Sequence, residues 1–149
     1  MQALYAREMA EDDSRDYYIQ TVIQPELQND GVLLEFAKKL FRTTIATTDE
    51  ADTVIAKHAE NWEVHRINPV DRCLLRMATA ELLEFEEIPP KVSIDEAIDI
   101  AKKYSTPRSG NFINGVLDSI LMDLERQDRL HKTGRGLVGI DSIRDRARS

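Results

Sequence analysis

The chain has 149 residues with 20 Lys+Arg against 27 Asp+Glu, a net charge of −7, and only one cysteine, six glycines and five prolines. The length fits one domain able to bury its own core. A lone cysteine excludes disulfides or a multi-cysteine metal site within one chain and suits a reducing compartment. No apolar run approaches the roughly 18 residues of a membrane helix and no signal peptide opens the chain, so a soluble, cytoplasmic protein without membrane contact is expected.

Few glycines, little strand-like alternation and abundant Ala, Leu, Ile, Glu, Asp and Arg predict an all-α domain of about seven helical segments. "MQALYAREMA" is helical from residue 1 with no cap before it, and its natural first turn is expected upstream. A polar turn at residues 11–13 leads to Ser14, an N-cap candidate for "RDYYIQTVIQ", which ends near Pro25. After the Asn-Asp-Gly turn at 29–31, Leu33, Phe36, Ala37, Leu40, Phe41 and Ile45 form one apolar face. Thr48 is expected to cap a fourth helix with the stripe Ala51, Val54, Ile55, His58 and Trp62. Asn68 with Pro69 marks a capped start with proline at the first helical position, and Val70, Leu74, Met77, Ala78, Leu82 and Phe85 follow as its inner stripe. "IPP" at 88–90 stops that helix. Ser93 with Glu96 reads as a capping box opening a sixth helix, with Ile94, Ala97, Ile98, Ala101 and Tyr104 inward. The last helix runs from about Pro107 or Ser109 to about Asp128, over Ile113, Val116, Leu117, Ile120, Leu121 and Leu124. Residues 1–128 form the helical domain, and 129–149 a basic, Gly-containing tail expected to be mobile or irregularly docked.

Charge separates by position. Residues 1–125 carry 13 Lys+Arg against 24 Asp+Glu, a net of −11, whereas 126–149 carry seven against three, a net of +4. Sequence-independent binding to phosphates needs a broad positive field, which the body lacks, so any RNA site is local. Catalytic readings find no footing. His58 and His65 are separated by a helix break, no Glu-x-x-His or His-Glu-x-x-His occurs, and there is no Gly-rich phosphate loop or Gly-x-Ser-x-Gly. Glu81, Glu84 and Glu87 read as a solvated acidic face, and His58 as a core histidine with satisfied hydrogen bonds. No enzyme, metal site or cofactor is expected.

Four stretches carry a family likeness. "MQALYA" at 1–6, "HAENWEVHRINPVDRCLLRMATAEL" at 58–82, "IPPKVSIDEAIDIAKKYS" at 88–105 and "FINGVLD" at 112–118 resemble the NusB transcription antitermination factors in order and spacing, over about residues 1–125. The resemblance implies two small packed helical bundles. It also implies a factor that binds boxA RNA together with the small-subunit ribosomal protein NusE and helps RNA polymerase in an antitermination complex read through terminators, notably in ribosomal RNA operons. Two departures stand out: the sequence opens at Met1 of the "ALQALY"-like helix, so the arginine-rich segment that usually precedes it is expected upstream, and Asp95 stands where the family often has asparagine, a change compatible with a helix first turn. NusB-like domains also resemble the N-terminal module of certain ribosomal RNA cytosine methyltransferases, but no glycine-rich cofactor loop follows here. A purely protein-binding helical adaptor is the other reading that the acidic body allows.

Single-stranded RNA is read by aromatic faces, amides and hydroxyls at base edges, and cations at phosphates. The loop and helix start at 102–115 hold all three: Lys102, Lys103 and Arg108 as cations, Ser109, Asn111 and Asn114 as hydrogen-bonding groups, and Tyr104 or Phe112 as stackers. Phe112 and Asn114 read equally well as structural, and Gly115 as a close helix approach. Gln2, Tyr5 and Arg7 on the first helix form a second patch, with Tyr5 equally suited to the core. Arg72 and Arg76, one turn apart, extend a basic strip. Glu81 and Glu84 suit the basic partner NusE electrostatically.

Overall fold

A computed structural model describes residues 1–11, 14–60 and 63–149, and its regular elements are all helical. The first group comprises α1 (Gln2–Ala10), α2 (Arg15–Tyr18), a π-helical turn (Ile19–Ile23), α3 (Gln24–Leu27) and α4 (Gly31–Ala46). The second comprises α5 (Thr48–His58), a 3-10 turn (Val64–Arg66), α6 (Pro69–Glu84), α7 (Pro90–Tyr104), α8 (Ser109–Arg126), a second 3-10 turn (Gly134–Leu137) and α9 (Ile140–Arg148). α6 joins the two bundles, packing on α7, α8 and α5 on one side and on α4 and α1 on the other. Its composition suits that place: Leu74, Leu75, Ala78, Ala80 and Leu82 are buried around its circumference, the pattern of a helix enclosed on all sides.

Several boundaries follow from local chemistry. Asp30 caps α4 by accepting the Leu33 amide at 3.0 Å, and Asn68 caps α6 by accepting the Val70 amide at 2.9 Å, with Pro69 at the first helical position where its missing N–H does no harm. Trp62 and residues 12–13 lie outside the described residues. Ile113, Leu117, Ile120 and Leu124 of α8 and Ile55 of α5 are fully buried in the core. His58 ties those two helices together, its Nδ1 2.7 Å from the Ser119 hydroxyl and its Nε2 2.9 Å from Asp123. Cys73 faces α1, with its thiol donating to Glu8 Oε2 at 3.5 Å.

Four expectations need correction. α7 begins at Pro90, so Ser93 is no cap; it is buried inside the first turns, where its hydroxyl donates to Glu81 at 3.4 Å. Thr48 lies within α5 rather than at its cap, and its hydroxyl turns back to the Thr44 carbonyl at 2.9 Å. Tyr104, expected inward, is 46% exposed as the last residue of α7. The tail is ordered: α9 packs on α8 through Ile140 and Ile143, while Arg146 pairs with Asp118 at 2.6 Å.

Candidate nucleic-acid interface

Two consecutive residues of α6 fix two separate loops. Asp71 is buried and accepts hydrogen bonds from Ser105 and Ser109, both at 2.7 Å. Thr106 completes the cluster, its hydroxyl 2.9 Å and its amide 3.3 Å from the Ser109 hydroxyl. A carboxylate filled by two short hydroxyl donors is a strong anchor, and it holds the 105–109 loop against the first turn of α6. Arg72, next in sequence, reaches the other way. Its guanidinium donates to the carbonyls of His65 and Ile67, each at 3.1 Å, and forms an ion pair with Glu8 of α1.

Between these loops lies a cleft of about 390 Å³ lined by Arg66, Ile67, Asn68, Asp71, Thr106, Arg108, Ser109 and Phe112. Its rim is cationic, with Arg108 at the N-cap of α8 and Arg66 on the 3-10 turn, both exposed. Arg66 touches Glu63 only at 3.8 Å. Phe112 is half-buried, one part packed on the core and one part facing the cleft. Beyond it, Asn111 and Asn114 are exposed on α8, and a Cβ built on Gly115 meets nothing within 4 Å. Gly115 therefore serves no close helix approach. Lys102, Lys103 and Tyr104 are exposed at the end of α7, with the Lys103 ammonium 5.2 Å from the Tyr104 ring centre.

The structure thus brings Arg108, Ser109 and Phe112 together and separates other expected residues. Ser109 is turned inward onto Asp71, so it shapes the loop instead of presenting its hydroxyl. Arg72 is only 8% exposed and its two terminal nitrogens are engaged internally, while its Nε is buried without a hydrogen-bond partner; Arg76 is held by Asp52 at 2.7 and 2.8 Å and by Glu8 at 3.2 Å. The exposed basic strip expected along α6 is therefore an internal ion-pair network. Arg7 and Arg76 line a different small cavity, beside Thr44 and Cys73, and Gln2 lines a third; Gln2 and Tyr5 are exposed. Glu81 is 7% exposed, its carboxyl pushed up to about 7 chiefly by burial, so it offers no surface to a partner; Glu84 is exposed. Sequence reading missed Arg66 and the anchoring role of Asp71. The run Ser105, Thr106, Ser109 was the one available signal, since clustered hydroxyls need an acceptor when buried.

Fold and cleft together define an all-helical, two-bundle protein with a rigid cationic and aromatic recess. The model of the NusB family matches residues 1–122, and the chain belongs to that family, the family of the transcription antitermination factors. It is 57% identical over 149 residues to the transcription antitermination protein NusB of Salinibacter ruber, covering 100% of this chain and 92% of the relative. Identity to the NusB of Chloroherpeton thalassium is 41%, over 98% of this chain and 69% of the relative. Among solved structures, T. maritima NusB superposes with a TM-score of 0.72 at 37% identity, over 80% of this chain and 82% of that one. A structure of the antitermination factors NusB and NusE in complex with dsRNA gives 0.69 at 30% identity, over 79% of this chain and 86% of that one.

Proposed function

We propose that the chain acts without catalysis in the cytoplasm, binding boxA RNA together with NusE and promoting read-through by RNA polymerase, notably in ribosomal RNA operons. The observation that carries the RNA part is the cleft itself: two exposed arginines flank a half-exposed phenylalanine on loops that Asp71 and Arg72 hold fixed. Preformed sites of this kind lose less ordering entropy on binding. In this reading Arg108, Arg66 and Lys102 meet phosphates, Phe112 and Tyr104 stack on bases, and Asn111 and Asn114 reach base edges. Gln2 and Tyr5, exposed on α1, form a second patch, with Arg7 lining a separate cavity. Because the body is acidic outside this region, the protein alone binds weakly and NusE strengthens binding.

The test is titration of boxA RNA at several salt concentrations, with and without NusE. Arg108→Ala and Lys102→Ala each lower the slope of log affinity against log salt by about 0.7, the single-strand value per neutralised phosphate. Unchanged slopes for both would move the RNA site elsewhere.

A further inference from the structure

α8 presents one polar strip that runs out of the cleft. Asn111, Asn114 and Asp118 follow at spacings of three and four, so they share one face of the helix. Gly115 adds bare backbone beside Asn114, with nothing within 4 Å of a Cβ built on it. Asp118 is the first carboxylate of α8, and at 1.5 Å per residue it lies about 6 Å along the axis beyond Asn114. That is well inside the screening length of roughly 10 Å at about 0.1 M salt, so a phosphate at Asn114 or Gly115 feels the charge at position 118. Residues 1–125 already carry a net charge of −11. An uncovered carboxylate at this place opposes a nucleic acid.

A helix outside the family match covers it. The match ends at residue 122, and α9 lies wholly beyond it. Arg146 of α9 donates to both oxygens of Asp118, at 2.8 and 2.6 Å. The two side chains remain 54% and 40% exposed, so the pair sits at the surface. Exposed pairs contribute little to stability, which leaves the cancelled charge as the main consequence of this one. α9 owes its position to other contacts. Gly139 turns the chain into it at φ 79°, a conformation that residues with a side chain rarely adopt. Ile140 and Ile143 are buried in the core, and the Arg126 guanidinium donates to the Ala147 carbonyl at 2.9 Å, closing the C-terminal end of the helix. Upstream, the Thr133 amide donates to the Glu86 carbonyl at 2.9 Å. Arg146 is thus delivered to Asp118 by a docked segment.

We propose that α9 is a charge mask that lengthens the RNA surface: Arg146 neutralises Asp118, and a strand leaving the recess at Arg108 and Phe112 can then continue along α8 over Asn114 and Gly115. The inference rests on the RNA-binding reading above. Arg146 acts through Asp118, as a positioning residue for the electrostatics of the strip, and the device belongs to a segment that the family match does not include.

Two substitutions that break the same ion pair test this, because they change the surface charge in opposite directions. The full chain and its variants are titrated with boxA RNA carrying flanking nucleotides, beside thermal melts and a titration with NusE. Arg146→Ala should weaken RNA binding by about threefold at low salt, and Asp118→Asn should strengthen it by a similar factor, the effect of one unit charge acting through water at several Å. The double variant should return to within about twofold of the unaltered chain, and all the differences should fade by about 0.5 M salt. Melting temperatures should change little and alike. Weaker RNA binding in both single variants would mean that the pair only holds α9 in place, and overturns the mask. Equal RNA affinities for all the variants, with Arg108→Ala still impaired, overturn it while leaving the proposed function standing. A change in NusE binding with RNA affinity unmoved would make the strip a protein surface and overturn it too. If the unaltered chain does not bind boxA RNA even with NusE present, the proposed function fails and this inference with it.

Discussion

The two ends of α6 bury charge in opposite ways. At the N-terminal end Asp71 receives two hydroxyls at 2.7 Å, and Arg72 meets two carbonyls and Glu8. At the C-terminal end Glu81 has one long bond from Ser93 and a lysine whose ammonium is directed at backbone carbonyls instead. Burial then dominates: the Glu81 carboxyl rises to about 7, and the Lys132 ammonium falls to about 8. Charges bonded at most of their polar atoms make a rigid support, whereas sparsely bonded ones make an end that responds to pH. The rigid end carries the recess proposed for RNA.

The strongest challenge to this contrast is Arg72→Met. Removing Arg72 leaves two buried carbonyls without their donor and Glu8 paired with Arg76 alone, so the variant should lose about 3–5 kcal/mol in urea unfolding. A loss under about 1 kcal/mol would show that the N-terminal end is not anchored by this residue.

Glu81→Gln tests the opposite end. Because the folded carboxyl titrates near 7 and the unfolded one near 4.5, the folded state holds a proton through that window that the unfolded chain releases. Its contribution to stability is full below the unfolded value and is lost as pH rises through 7. The stability difference between the native chain and Glu81→Gln should therefore shift by about 3 kcal/mol between pH 4.5 and 7.5, favouring the glutamine form at the higher pH. Lys132 works in the other window: its lowered value makes stability rise between about 8 and 10.5. A pH-independent difference would remove the distinction between the two ends.

The smallest effect lies beside the cleft. Gly115 faces open space on α8, so Gly115→Ala should raise stability by about 0.5–1 kcal/mol. If the bare backbone there admits RNA, boxA affinity falls as stability rises; a melting temperature that does not rise would contradict the open-space reading.

What sequence could reveal depended on whether a residue's partner was local. Asn68 and Pro69 announced the start of α6 because both act within one turn, and the apolar spacing of α8 marked Ile113, Leu117 and Ile120 as core. Ser93 with Glu96 had the form of a cap, yet Pro89 and Pro90 had already begun the helix and the acceptor for Ser93 was Glu81 on another helix. Arg72 and Glu81 were read as surface charges for the same reason: the groups that bury them come from α1, the 64–67 turn, α7 and the C-terminal segment. The tail hid its helix behind three glycines and few apolar residues, two of which, Ile140 and Ile143, suffice to seat α9 on α8. At the candidate site, Arg108 and Phe112 were legible by type and position, whereas Arg66 joined them only through the fold of a distant turn.

Cys73 has a practical consequence at the bench. Burial, reinforced by the charge of Glu8, pushes its thiol up to about 12, so at neutral pH it stays protonated and shielded inside the helix bundle. Maleimide and iodoacetamide need a thiolate they can reach, and this is the chain's sole cysteine. The unaltered protein is thus a silent background for site-directed labelling. A cysteine placed at Asn114 would take up a dye alone, letting fluorescence follow occupancy of the RNA recess.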